Sequence, residues 1–262
     1  MSQKDNHPTS LNLLSNYLHE IAGSGVNDIL LSDAALDKLS NLSISGPGEN
    51  PSNQDKTIAL SELQGKVENC KEYRSIETLR NTMVFATGSP DARIMFIGEA
   101  PGAEEEKHRE PFVGPAGKLL TKIIETMGMA RENVYISNIV KFRPLIDGAE
   151  QGAKNRKPST EEIEASLPFI NTEIKIVNPE LIIALGGTAM TGLLGIETGV
   201  NAARGQLHEL GQHQVIVTYH PSFLLRSGSN SDKRKLWEDM LMAMNYLRMP
   251  ISEKQKTYFS AQ

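Results

Sequence analysis

Ala92-Arg93-Ile94-Met95-Phe96-Ile97-Gly98-Glu99-Ala100-Pro101-Gly102-Ala103-Glu104-Glu105-Glu106 is the stretch on which the reading of this chain turns. The apolar run 94–97 is continuous rather than alternating, as expected of a buried strand. Gly98, Pro101 and Gly102 end it abruptly. The turn then presents a dense group of carboxylates, and Pro111-Phe112-Val113-Gly114 adds one aromatic ring. Residues 115–127 follow with helical periodicity, so this loop is expected to join a strand to a helix. In an open α/β sheet, ligands sit beyond the carboxyl ends of the strands. The loop is therefore the first place to look for chemistry.

Three more apolar runs, 134–136, 181–185 and 215–217, repeat the pattern, with helical periodicity between them at 160–177 and 188–194 and a last helix near 233–247. Ser159-Thr160-Glu161-Glu162 reads as a helix start, a hydroxyl cap with carboxylates in the first turn. Strands alternating with helices predict a mostly parallel sheet covered on both faces. After the four runs come Gly98-Glu99, Ser137-Asn138, Gly186-Gly187-Thr188 and Thr218-Tyr219-His220-Pro221-Ser222. In a parallel sheet these ends share one edge, so Glu, Asn and His would converge on one cleft.

Taken singly, each candidate has a plain alternative. Glu99 suits a positioned water or a turn cap, and Glu105 and Glu106 suit the same chemistry or a solvated acidic loop. Asn138 offers a donor and an acceptor edge for a planar amide-bearing ligand, or caps a turn. His220 suits an acid, an electrophile or a metal ligand, or a structural role. Phe112 suits a stacking platform or the core. Gly186-Gly187 suits a phosphate cradle at a helix N-terminus or a turn. The basic groups Lys141 and Arg143, 154–157 and 233–235 suit a phosphate backbone or ordinary solubility. Leu224-Leu225-Arg226 places apolar residues on an expected loop, which suits burial or a wedge.

The chain has 262 residues, 39% hydrophobic and 23% charged, enough for one sizeable α/β domain with a small appendage. Its one cysteine, Cys70, allows no internal disulfide and no all-cysteine metal site. A net charge of −5 argues weakly against nucleic acid, although local distribution matters more. No apolar run approaches the roughly 20 residues of a membrane span, and the polar start lacks a signal-peptide core, so a cytoplasmic protein is expected. Residues 1–57 are expected to be a helical extension, with helices at 11–22 and 33–42 and a linker at 43–56. A helix at 58–75 with Ser61 as its cap would open the main domain, 58–250, followed by a tail at 251–262.

The motifs Gly98-Glu99-Ala100-Pro101-Gly102, Pro111-Phe112-Val113-Gly114-Pro115-Ala116-Gly117, Tyr135-Ile136-Ser137-Asn138-Ile139-Val140-Lys141-Phe142-Arg143-Pro144 and His220-Pro221-Ser222-Phe223-Leu224-Leu225-Arg226 together resemble the uracil-DNA glycosylase superfamily, nearest its family 4, the iron–sulfur type. The resemblance implies a three-layer α/β/α domain with a central, mostly parallel four-stranded sheet. It also implies a monomeric hydrolase of uracil-containing DNA. By that resemblance Gly98, Ala100, Phe112 and Asn138 hold the flipped uracil. His220 stabilises charge on the leaving base. Glu99 or Glu105 positions water or stabilises the sugar cation. Lys141, Arg143, Gly187, Ser222, Leu224, Leu225 and Arg226 meet the DNA, the leucines and Arg226 filling the vacated stack.

The chain departs from that pattern in two places. Where family 4 sets four cluster cysteines it has Lys71, Arg74, Phe142 and Ser166, with Cys70 alone nearby. Four thiolates are needed, so no iron–sulfur cluster, and no other cofactor or metal, is expected. Before Pro111 stands Arg109-Glu110, where the family has Gly and a basic or apolar residue. These departures motivate a competing reading, a catalytically silent module that binds DNA or a partner, with residues 1–57 recruiting a protein. A phosphate-binding α/β enzyme built on Gly186-Gly187-Thr188 ranks last, because no P-loop lysine pattern is present.

Overall fold

The computed structural model of the chain describes residues 52–146 and 151–259. The expected N-terminal helices and most of the expected linker lie outside the described residues. The first described helix, α1 (Asn53–Asn69), starts earlier than its apolar pattern predicts. Its cap is Ser52 rather than Ser61, closed by a capping box with Asp55. Lys56, expected in the linker, is buried in this helix, where its ammonium donates to the Val177 carbonyl. A four-residue turn of helix, α2 (Lys71–Arg74), follows.

The expected parallel strands are present as β3 (Ile94–Gly98), β4 (Tyr135–Asn138), β6 (Leu181–Leu185) and β8 (His213–Thr218). Two antiparallel edge strands, β2 (Ala86–Gly88) and β7 (Leu207–Leu210), widen the expected four-stranded sheet to six in the order β2-β4-β3-β6-β8-β7. A separate ribbon pairs β1 (Leu79–Met83) with β5 (Phe142–Pro144).

Strand alternation divides the core into two layers. On one face Met95, Ile97, Ile182, Ala184, Val215 and Val217 meet α1 and the buried side of α5 (Thr160–Val177). On the other, Ile94, Phe96, Leu181, Ile183 and Ile216 meet α4 (Pro115–Thr126) and α9 (Asn230–Tyr246). In α4 the buried positions Gly117, Leu120, Ile123 and Ile124 recur at helical spacing, which is what seats it. The tail is packed on the domain: Gln255, in the short helix α10 (Glu253–Lys256), accepts from Trp237 through its carbonyl (2.6 Å) and donates to the Thr126 carbonyl (2.7 Å).

The chain leaves β3 to one side to form β4 and returns on the other to form β6. The crevice between the loops after β3 and β6 is therefore a topological switch point, where such sheets hold ligands.

Candidate active site

All four parallel strands end at one cavity of about 610 Å³, lined by Glu99, Ala100, Phe112, Asn138, Gly187 and His220 among others. The stretch after Gly98 is not the loop the sequence suggested. Its glutamates nucleate a short helix, α3 (Ala103–His108), with three carboxylates in its first turn, where the helix dipole favours them.

Glu105 closes this element onto the next. Its carboxylate accepts from the amides of Gly102 (3.1 Å), Val113 (3.1 Å) and Gly114 (2.8 Å). It thereby fixes the turn carrying Phe112, whose φ of 56° is a conformation a bulky residue rarely adopts. Gly117 makes room on the helix side: a Cβ there would lie 1.8 Å from the Phe112 carbonyl oxygen. The Arg109-Glu110 departure leaves this arrangement intact. Arg109 takes the left-handed cap of α3, and Glu110 pairs with Arg131, which also donates to the Pro111 carbonyl (2.7 Å).

Glu99 is differently placed. It lines the cavity, and its carboxylate accepts from the hydroxyl of Thr188, at the start of α6 (Gly187–Leu194), across the switch point. Both glutamates left as alternatives by the sequence line the cavity, but their partners differ: Glu105 is tied to three backbone amides and Glu99 to one side-chain hydroxyl.

Asn138 ends β4 and is 2% exposed, yet among the described residues its Oδ1 has no hydrogen-bond partner. Buried acceptors are seldom left so. Gly98, one strand over and in register with it, lets amide and ring approach: a Cβ at Gly98 would lie 2.4 Å from both Asn138 Oδ1 and Phe112 Cζ. Opposite stands His220, with ring centroid 5.6 Å from that of Phe112. It caps α8 (Pro221–Ser227), Nδ1 accepting from the Ser222 amide (3.2 Å). An acceptor Nδ1 assigns the proton to Nε2. Gly186, at φ 89°, allows this close approach, since a Cβ there would be 3.0 Å from that of His220.

Burial, reinforced by Arg226 and opposed by Glu105, lowers the His220 pKa to about 4. The imidazole is therefore neutral at ordinary pH. Between that value and the unfolded value of about 6.5, the unfolded chain binds the extra proton. Stability is then expected to rise with pH across this window, by on the order of 3 kcal/mol. Urea titrations of wild type and His220→Gln at pH 4.5 and 7 check this, and the variant should lose that part of the slope.

Three residues expected at the DNA are buried. Lys141 is fully buried and pairs with Glu173. Arg143, 3% exposed, donates to Glu106, Asn155 and the carbonyls of Gly152 and Lys154, bracing a loop. Leu224, 4% exposed, packs in the core, because residues 221–227 form a helix rather than a loop and its phase turns Leu224 inward. Leu225 and Arg226 are exposed, and Ser222, Arg226 and Gly187 line the cavity. Sequence reasoning missed Asn155, Asn201 and Phe223 as lining residues and Thr188 as a partner of Glu99. Phe223, 36% exposed and stacked on Tyr219, was within reach of the quoted motif; Asn201 carried no signal.

Of the residues that the resemblance sets against cluster cysteines, Phe142 and Ser166 pack on Tyr73. Its ring lies edge-on to Phe142 (4.9 Å) and stacks on Phe169 (5.6 Å), and its hydroxyl oxygen is 2.5 Å from Ser166 Oγ. Arg74 lies 5.7 Å from the Phe142 centroid. Packed rings and one partly buried cysteine do not fit a group that requires four thiolates.

Residues 85–241 match the family model described as the uracil DNA glycosylase superfamily. A type-4 uracil-DNA glycosylase of Thermotoga maritima is 42% identical over 64% of this chain and 85% of its own length. Enzymes of the same description from Sulfurisphaera tokodaii and Archaeoglobus fulgidus are 36% and 33% identical over 69% of this chain, covering 81% and 92% of theirs.

Proposed function

We infer that this chain, which belongs to the uracil-DNA glycosylase superfamily, hydrolyses the N-glycosidic bond of uracil in DNA and leaves an abasic site. The observation that carries the reading is the buried Oδ1 of Asn138, without a partner among the described residues, at a cavity walled by Phe112 and His220. A base inside a duplex cannot be attacked, so it must be extruded into such a pocket. Phe112 offers a ring face for stacking. The Asn138 amide sets an acceptor beside a donor, which matches the N3–H and O4 of uracil. Cytosine presents the reverse order and would leave buried groups unpaired, a costly mismatch.

As the bond between base N1 and sugar C1′ breaks, its electron pair passes to the base, and negative charge grows on O2. The neutral His220, with its proton on Nε2, supplies a preorganised donor for that charge. Positive charge grows on the sugar and is met by water oriented by Glu99. The water oxygen bonds to C1′, and its proton is lost, leaving neutral uracil once N1 is protonated. Water rather than an amine is the nucleophile, so the enzyme is monofunctional. Exposed Lys157 and Arg226 at the cavity rim suit flanking phosphates.

Incubation with a uracil-containing oligonucleotide followed by alkaline cleavage of abasic sites tests the activity. Salt-dependent DNA binding without cleavage would instead support the silent module. A colourless protein without stoichiometric iron is expected, and a brown one would overturn the cluster-free reading. No helix among the described residues is long and apolar enough to cross a membrane; a monomer in the cytoplasm, with a protein partner for the segment that precedes α1, belongs to the same proposal.

The two glutamates separate by experiment. Glu105→Ala should lower stability by about 2–3 kcal/mol, because it removes charge-assisted bonds to three amides. Glu99→Gln should leave melting nearly unchanged and slow single-turnover uracil release about 100-fold. Equal melting temperatures for the two variants would contradict this division.

A further inference from the structure

Lys141 is the residue for which the proposed chemistry has no use. It follows β4, and its side chain turns inward to full burial. Its ammonium pairs with Glu173 of α5 and donates to Ser137 Oγ (2.6 Å) and to the carbonyl oxygen of Asn138 (2.8 Å). It also lies 5.4 Å from the centroid of Phe85. Glu173 is equally buried and accepts from the hydroxyls of Ser137 (2.8 Å) and Tyr135 (3.2 Å). The Lys141 backbone is held as well, its amide by Tyr73 Oη (2.9 Å) and its carbonyl by Val84 N (2.8 Å).

Burying an ion pair is costly, and a well-packed apolar pair often stabilises a core as much or more. The contact between sheet and α5 is already apolar, through Ile97, Ile170, Ile174 and Val177. Joining these layers therefore does not require charges. An apolar pair could not satisfy the Asn138 carbonyl at the point where β4 ends and the chain turns, and there the ammonium spends one of its three donors. On the far side, the amides of Ile139 and Val140 donate to the Gly98 and Glu99 carbonyls, both at 3.0 Å. The peptide of Asn138 is thus gripped from both directions, and the direction of its side chain follows from that peptide.

We propose that Lys141 and Glu173 are a positioning pair for Asn138: the ammonium, held by the carboxylate, fixes the Asn138 peptide and so aims its amide at the extruded base. The proposal rests on the uracil-releasing function inferred above. It also replaces the DNA contact that the sequence suggested for Lys141, since a side chain with no exposed surface cannot reach phosphate.

The test is the double variant Lys141→Met/Glu173→Leu, which removes both charges together and so leaves no buried ion without its counter-ion. Thermal unfolding, kcat, inhibition by free uracil and affinity for a duplex containing an abasic site are compared with wild type. The double variant is expected to stay folded but to melt below wild type, because the Asn138 carbonyl and the Ser137 and Tyr135 hydroxyls lose a buried partner, with kcat and uracil affinity each falling by about 10- to 100-fold. Abasic-duplex affinity should stay within about twofold, because those contacts are made elsewhere. A folded double variant with wild-type kcat and uracil affinity overturns the proposal, as does a loss shared equally by abasic-duplex binding. Should the double variant not fold, Ser137→Ala, which removes only the hydroxyl bridging the two charges, carries the same readouts. A several-fold loss of kcat and uracil affinity is then expected, and none overturns the proposal. Wild type that releases no uracil sinks the function itself; active wild type with an undiminished variant sinks only the pair.

Discussion

Asn138→Ala is expected to abolish most uracil release, by about 100- to 1,000-fold in single-turnover rate, while the protein melts where wild type does. The two halves of that expectation have one cause. Among the described residues the Asn138 Oδ1 has no protein partner, so its removal breaks no native hydrogen bond. What disappears is the only contribution it makes, to an extruded base. His220→Ala should slow release by a similar factor. Its cost to stability is larger, since its Nδ1 accepts the Ser222 amide that starts α8. The combined variant should fall short of the product of the two single losses, because both groups act on one bound base. Alkaline cleavage of a uracil-containing oligonucleotide, timed under enzyme excess, measures all three. A fully active Asn138→Ala protein would remove the basis of the proposed specificity.

These expectations draw on residues that the sequence read at strand ends and the structure brings to one cavity, and the reason is periodicity. Each of the four parallel strands carries a short apolar run followed within three residues by Gly, Asn or a His-Pro step, so both the strand and its functional end stand out. Where the reading failed, the deciding partner was distant or the signal too short. Strands β2 and β7 have only three and four residues, and their exposed positions give no apolar run. Leu224 and Leu225 are alike in sequence; the helical phase from Pro221 buries one and exposes the other. Lys141 reads as a basic residue beside a DNA motif until α5 brings Glu173 against it. Glu99 and Glu105 stayed interchangeable because the amides that capture Glu105 belong to a turn the sequence did not locate.

Gly98→Ala should be almost as damaging as losing Asn138, although it removes no functional group. The added methyl would stand 2.4 Å from Asn138 Oδ1 and 2.4 Å from Phe112 Cζ, well inside contact distance. Neither neighbour yields easily. Phe112 is 5% exposed and sits in a turn held by Glu105, and Asn138 is held at the end of β4. Overpacking of this kind costs about 1–3 kcal/mol of stability, and moving a reading group by about 1 Å costs about 100-fold in rate. We therefore expect about a 100-fold slower release, weakened uracil binding and a modestly lower melting temperature. Gly65→Ala in α1, where a Cβ would meet nothing within 4 Å, serves as the control. It should stabilise the helix by about 0.5–1 kcal/mol and leave the rate alone. A double-mutant cycle locates the damage. Phe112→Ala on its own should weaken base stacking by about 1–3 kcal/mol. In the Gly98→Ala background the same change also relieves the ring's half of the clash. The double variant should then lose much less than the sum of the singles, a coupling expected for side chains in contact. Strict additivity would mean that Phe112 does not stand against Gly98, and that the stacking wall of the pocket lies elsewhere.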